Sequence, residues 1–251
     1  MPSADPSIGW GTYFVALAVI VGGSFLVTYV ATDVGRMTRT PYVALLMFFT
    51  GTLTWAYLWA SGTGAVEFLR TGWAWGLLGA TVTGAVTGLL ARRWPATAGR
   101  PSGAAAVAKM AWEGVVYGAT EGTLLSILPV LAVWQGGRAL GWTGDWSGKV
   151  GVGALAMAAS ILVIGIHHLG YREFRGPQVR FPIIACAFFS LGYLLTGSVI
   201  AAIGGHIVLH LVMIVRGAEM PPHQETRPAQ GSTADRFVHP RMGGDLATVR
   251  R

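Results

Sequence analysis

The stretch FPIIACAFFSLGYLLTGSVIAAIGGHIVLHLVMIV, Phe181 to Val215, runs for 35 residues without an Asp, Glu, Lys or Arg. As one α-helix it would be about 52 Å long, at ~1.5 Å per residue, well beyond a ~30 Å hydrocarbon core. The run must therefore fold back. Thr196-Gly197-Ser198 is the natural turn, with Ser198 placed as the N-cap of the helix that follows. In that helix His206 and His210 are four apart and so lie one above the other on one face. A lipid-facing helix has no use for two imidazoles.

The rest of the chain has the same character. Of its 251 residues 53% are hydrophobic and only 12% charged, against about a quarter charged in soluble domains. Apolar blocks of roughly 20 residues alternate with short polar stretches, the pattern of a polytopic helical membrane protein. Seven spans are expected in an all-α bundle: Trp10–Ala31, Pro41–Ala60, Thr71–Ala91, Ala105–Trp134, Val150–Leu169, Phe181–Leu195 and Ser198–Val215. Pro129, inside the long fourth span, is expected to kink it or end it early. The N-terminus lacks a basic region followed by a cleavage site, so the first run reads as a retained span. A single cysteine, Cys186, rules out an internal disulfide and reads as core packing.

The net charge of +7 resides in the loops and the tail. With the N-terminus outside, fifteen Lys and Arg fall on one side of the membrane and three (Arg70, Arg138 and Lys149) on the other. Cytoplasmic loops are the basic ones, so the C-terminus is expected in the cytoplasm of an integral cell-membrane protein. No basic stripe with interleaved aromatics is present, which argues against nucleic acid. The Pro-, Gly- and Arg-rich segment 217–251, with His223 and His239, reads as a disordered tail.

Ionisable residues inside spans are costly and usually functional. They are Glu113 and Glu121 on the fourth span, His167 and His168 on the fifth, and His206 and His210 on the seventh. At ~1.5 Å per residue Glu113, the fifth-span histidines, His206 and His210 all fall in the cytoplasmic half. Glu121 lies about two turns deeper and rotated by roughly 80° from Glu113 on a regular helix. Histidines at i and i+4 can share a Zn²⁺ or other divalent ion, with a carboxylate or a third histidine, His168, completing the shell. A soluble-type His-Glu-x-x-His motif is absent, so a general base must come from another helix. Glu113 is the candidate, with Glu121 and His167 as auxiliary or substrate-binding groups. A span histidine can also serve only to hydrogen-bond a neighbouring helix.

The segment AFFSLGYLLTGSVIAAIGGHIVLH, Ala187 to His210, resembles the closing helices of the CAAX-protease and bacteriocin-processing (CPBP) family. The resemblance implies that His206 is the family's motif histidine and that His210 stands where Asn or Asp is usual. WEGVVYGATEG resembles the first motif, Glu-Glu-x-x-x-Arg, with Glu113 as the first Glu but Gly114 and Gly118 at the second Glu and the Arg. IGIHHLG lies where the family has Phe-x-x-x-His, so His167 or His168 takes that role, with Val163 or Ile164 at the Phe position. What this implies is a CPBP-like four-helix core over residues 105–216, preceded by three spans and a basic loop (1–104) and followed by the tail. It also implies an intramembrane endopeptidase with Glu113, His168 and His206 catalytic, acting on a peptide or membrane-protein substrate near the cytoplasmic leaflet. Two other readings stay open: a catalytically silent relative that binds a membrane partner, and a small ion or proton carrier, since Glu and His chains also build relays.

Overall fold

The computed structural model describes residues 1–93 and 99–218. Among these there is no strand, and seven helices are long and apolar enough to cross a membrane: Trp10–Val34, Arg39–Ala60, Trp73–Ala91, Gly103–Ala139, Trp146–Leu169, Pro177–Thr196 and Val199–Arg216. The protein is thus an all-α bundle, and each span falls within a few residues of its sequence-based expectation. Residues 219–251, with His223, His239 and nearly all of the expected tail, lie outside the described part.

The fold-back of the 181–215 run is where the sequence places it. The sixth span ends at Thr196, Gly197 takes a left-handed φ of +67°, and the seventh begins at Val199. Glycine suits that conformation because it has no Cβ to clash. Ser198 holds the N-cap position in an extended conformation, yet its hydroxyl makes no cap bond. A side-chain cap appears instead on the fifth span. There the Asp145 carboxylate accepts the Gly148 N–H at 2.6 Å and the Ser147 hydroxyl at 2.9 Å.

Those bonds, chiefly the one from Gly148, hold the Asp145 carboxyl below its ordinary value. A depressed folded-state value means that the cap's contribution is full above the ordinary aspartate range and is lost as pH falls through the folded-state value. The thermal midpoint of Asp145→Ala in detergent is therefore expected to fall slightly below wild type at neutral pH. The gap should close on acidification below about pH 4.

The fourth span does not end early at Pro129. The helix passes through Pro129 and continues to Ala139. Its backbone widens into π-helical turns at Met110–Val116 and again at Gly122–Ile127, directly before the proline. Proline lacks an N–H and its ring collides with the carbonyl one turn back, so a wide turn upstream accommodates it. This span is the most enclosed of the seven and forms the centre of the bundle. The third span packs along the seventh, and the first along the far end of the fourth and along the fifth. Outside, Phe48, Trp55, Trp59, Trp75 and Leu195 stand exposed, a surface suited to lipid rather than water.

Candidate functional site

Close approach of the fourth and seventh spans builds the site. A Cβ on Gly118 would lie 2.9 Å from Ile207 Cα, and one on Gly122 would lie 3.1 Å from Ile203 Cα. Only residues without a side chain allow the two backbones so near, the small-residue packing by which helices associate in lipid. Gly118 and Gly122 flank Glu121 along the chain. The contact therefore sets Glu121 against the histidine face of the seventh span.

Glu121 is buried, and each of its oxygens meets an imidazole. Oε2 is 2.9 Å from His210 Nε2, and Oε1 is 3.6 Å from His167 Nε2. An ionised carboxylate only accepts, so His210 Nε2 serves it as an N–H donor, while His167 lies just beyond hydrogen-bond reach. His210 then carries its lone pair on Nδ1, a buried atom without a hydrogen-bond partner. His206, also buried, has its Nε2 3.4 Å from Ser126 Oγ, and its Nδ1 is likewise without a partner. Glu121, His206 and His210 each offer a ligand atom, and these atoms lie within 4.8 Å of one another, close enough to hold a metal ion. Two orphaned imidazole nitrogens are costly in a buried site unless something binds them. The donor set of two imidazoles and a carboxylate fits a divalent ion.

The adjacent fifth-span histidines divide their roles. His168 Nδ1 is 2.8 Å from the Ile164 carbonyl. A carbonyl cannot donate, so Nδ1 carries the proton and Nε2 is bare. His168 lines a cavity of about 470 Å³ together with Tyr117, Glu121, His206 and His210. The other walls are mainly apolar, including Leu90, Phe181, Ile184, Cys186, Leu209 and Met213, while Arg93 and Gln178 also border it. His167 does not reach this cavity. Its Nδ1 contacts Thr28 Oγ1 at 3.1 Å, and its Nε2 contacts the Tyr171 hydroxyl at 3.3 Å as well as Glu121.

The carboxylate expected as general base stands elsewhere. Glu113 pairs with Arg39 at 3.2 Å and Lys109 at 3.9 Å, and among the described residues no histidine lies within ion-pair distance of it. Tyr117 touches both groups, with Arg39 Cζ 5.0 Å from its ring centre and the His210 ring 4.8 Å away. Glu121, read from the sequence as auxiliary, is thus the carboxylate that meets the histidines. His168 borders the site without joining the three-residue metal-competent group.

Three tyrosines escaped the sequence reading. The Tyr42 hydroxyl contacts Thr28 Oγ1 at 3.1 Å and the Tyr171 hydroxyl at 2.6 Å, and Tyr117 contacts Tyr171 at 3.0 Å. Tyr171 lies just beyond the fifth span, and burial pushes its phenol well above the ordinary range, so it stays a hydroxyl. Helical spacing carried a signal for two of them. Tyr117 precedes Glu121 by four positions and Tyr171 follows His167 by four, the interval that shares a helix face. Nothing in the sequence around Tyr42 marks it. Comparison with protein-family models, with curated proteins and with solved structures returns no match.

Proposed function

We propose that the protein is an intramembrane, metal-dependent endopeptidase whose working carboxylate is Glu121. The observation that carries this reading is a buried carboxylate bonded to the His210 imidazole beside two unpartnered imidazole nitrogens, with Glu121, His206 and His210 all lining one largely apolar cavity. Such a cavity suits an apolar peptide segment. The basic side of the bundle, with Arg93 bordering the cavity, supports an outside N-terminus and a site in the cytoplasmic half.

Moved along the fourth span, the resemblance to the CPBP family still keeps one motif residue of three, but that residue becomes the carboxylate that meets the histidines. Glu121 then stands at the first Glu of Glu-Glu-x-x-x-Arg, Gly122 at the second, and Ser126 at the Arg, with its hydroxyl facing His206. The histidines keep their places, with His206 as the motif residue and His210 at the Asn or Asp position.

Glu121, His206 and His210 would hold the ion, zinc being the natural candidate for this donor set. When bound, it supplies a Lewis acid for the carbonyl and lowers the pKa of water. A carboxylate has about four lone-pair positions, so the His210 N–H and a bond to the ion would still leave Glu121 one for the attacking water. Glu121 takes a proton from the attacking water as oxygen bonds to the scissile carbonyl carbon. It returns that proton to the amide nitrogen as the C–N bond breaks, leaving a carboxylic acid and an amine. The apolar walls exclude bulk water from this exchange.

Elemental analysis of purified protein is expected to find about one zinc per chain. His206→Ala and His210→Ala should each lower zinc affinity at least tenfold, while Glu113→Gln leaves it unchanged. Metal-free wild type and both histidine variants should fail to cleave transmembrane peptides in liposomes. Glu121, His167 and His210 also fasten three helices to one another, which favours a second reading as a silent, partner-binding protein. Absence of both metal and cleavage in wild type would establish that reading over the first.

A further inference from the structure

We propose that a groove between the first, fourth and fifth spans seats one acyl chain of an anionic phospholipid, whose phosphate meets Lys149. The groove encloses about 390 Å³. It follows the fifth span from Val152 to Leu162, whereas His167 and His168 stand at that span's other end. Glycines of the fourth span draw its walls together. A Cβ on Gly136 would lie 3.3 Å from Tyr13 Cβ, and one on Gly137 would lie 2.7 Å from Val152 Cγ2. Phe14, Leu155 and Leu162 line the groove and are each about half exposed. It therefore opens sideways from the bundle, where a membrane places lipid rather than water.

Its dimensions select a hydrocarbon chain over a helix. Val152 to Leu162 rises about 15 Å, half of a ~30 Å hydrocarbon core, so the groove runs the depth of one leaflet. Its volume spread over that length gives a mean cross-section of about 26 Å². An α-helix ~10 Å across fills roughly 80 Å², so a span of a second copy is too wide to lie inside. Charge at the groove's end selects the headgroup. Lys149 is exposed and precedes Val152 by three, which continues the face of Val152, Leu155, Ala159 and Leu162 toward water. It forms no ion pair among the described residues. Asp145, one turn earlier, feels the charge of Lys149, but its carboxylate is already engaged by the Gly148 N–H and the Ser147 hydroxyl. Arg138, next to Gly137, lies within electrostatic reach of Glu67 and the amino terminus. Lys149 is thereby the cation best placed for a phosphate, and Trp142 on the rim suits the membrane interface.

Native mass spectrometry of the full chain in detergent tests this, with dioleoyl phosphatidylglycerol or dioleoyl phosphatidylcholine added at equal concentration. Wild type should retain one phosphatidylglycerol per chain, bound about fivefold more tightly than phosphatidylcholine, the effect of one lysine beside a charged lipid. Lys149→Gln, at an exposed position, should abolish that preference and leave phosphatidylcholine binding unchanged. Ala158→Phe should fill the groove and lower retention of both lipids at least fivefold. Ala158 is an exposed wall residue, so the bundle has room for the ring, and the thermal midpoint of each variant checks that it folds. Wild type that retains no lipid, or that binds the two lipids equally, overturns the proposal without any variant. Retention in Ala158→Phe equal to wild type, at an unchanged midpoint, overturns it as well. So does a wild-type dimer that Ala158→Phe converts to monomer, since a second copy would then be the occupant. None of these readouts involves zinc or peptide hydrolysis.

Discussion

Glu121→Gln is expected to slow peptide hydrolysis at least a hundredfold, while Glu113→Gln retains most of the wild-type rate. A positioned general base is worth about 10²- to 10⁴-fold, and glutamine cannot take a proton. Glutamine keeps the shape of the side chain and a carbonyl oxygen for His210, so the bundle should stay folded. Glu113 instead serves an ion pair with Arg39 in which both side chains are 15% exposed. Discounted for solvent, such a pair contributes no more than ~1 kcal/mol, and its loss leaves the cavity intact. Cleavage of a fluorogenic transmembrane peptide in liposomes, with the thermal midpoint of each variant measured alongside, checks both. Equal losses in the two variants at unchanged midpoints would show that Glu121 has no special place in the chemistry.

The second large effect is expected at a residue with no side chain. Gly118→Leu should destabilise the protein by ~1–3 kcal/mol, the usual cost of overpacking, and should weaken zinc binding along with it. The new Cβ would meet Ile207 Cα at 2.9 Å and its backbone nitrogen at 3.0 Å. These atoms belong to a helix backbone, so relief requires the seventh span to move away. That movement carries His206 and His210 from Glu121 and opens the metal-competent group. Gly151 on the fifth span supplies the control, because a Cβ there meets nothing within 4 Å. Gly151→Ala should be neutral or stabilising by up to ~1 kcal/mol through helix propensity. Thermal unfolding in detergent and zinc titration of both variants decide the matter. A Gly118→Leu protein with wild-type zinc affinity would mean that the close helix contact does not shape the site.

These two residues also mark where the sequence could and could not be read. Glu121 and Glu113 sit on the same span, both beside a glycine and both near an aromatic ring. On a regular helix their depth and rotation favoured Glu113 as the partner of the histidines. The structure reverses the choice for two reasons. The π-helical turns at Met110–Val116 and Gly122–Ile127 alter the rotation that a regular helix would give. In addition, Gly118 and Gly122 bring the seventh span nearest beside Glu121. Gly114 and Gly118, which looked like losses from a motif, are contact positions. His167 and His168 could not be separated either, because adjacent residues point in different directions that only the neighbouring helices distinguish.

Hydropathy and charge vary along one dimension, and what depends on that dimension was legible in the chain itself. The 35-residue run had to fold back because no bilayer is thick enough for it, and Gly197 makes the turn because only a residue without Cβ takes that φ easily. Seven spans followed from the apolar blocks, and two glutamates and four histidines within them stood out by their cost in lipid. Which of those residues meet is a matter of rotation and helix separation, set by atoms distant in sequence. Tertiary structure alone joined Glu121 to His210 and His167, left the Nδ1 atoms of His206 and His210 unpartnered, and brought Tyr42 and Thr28 behind them.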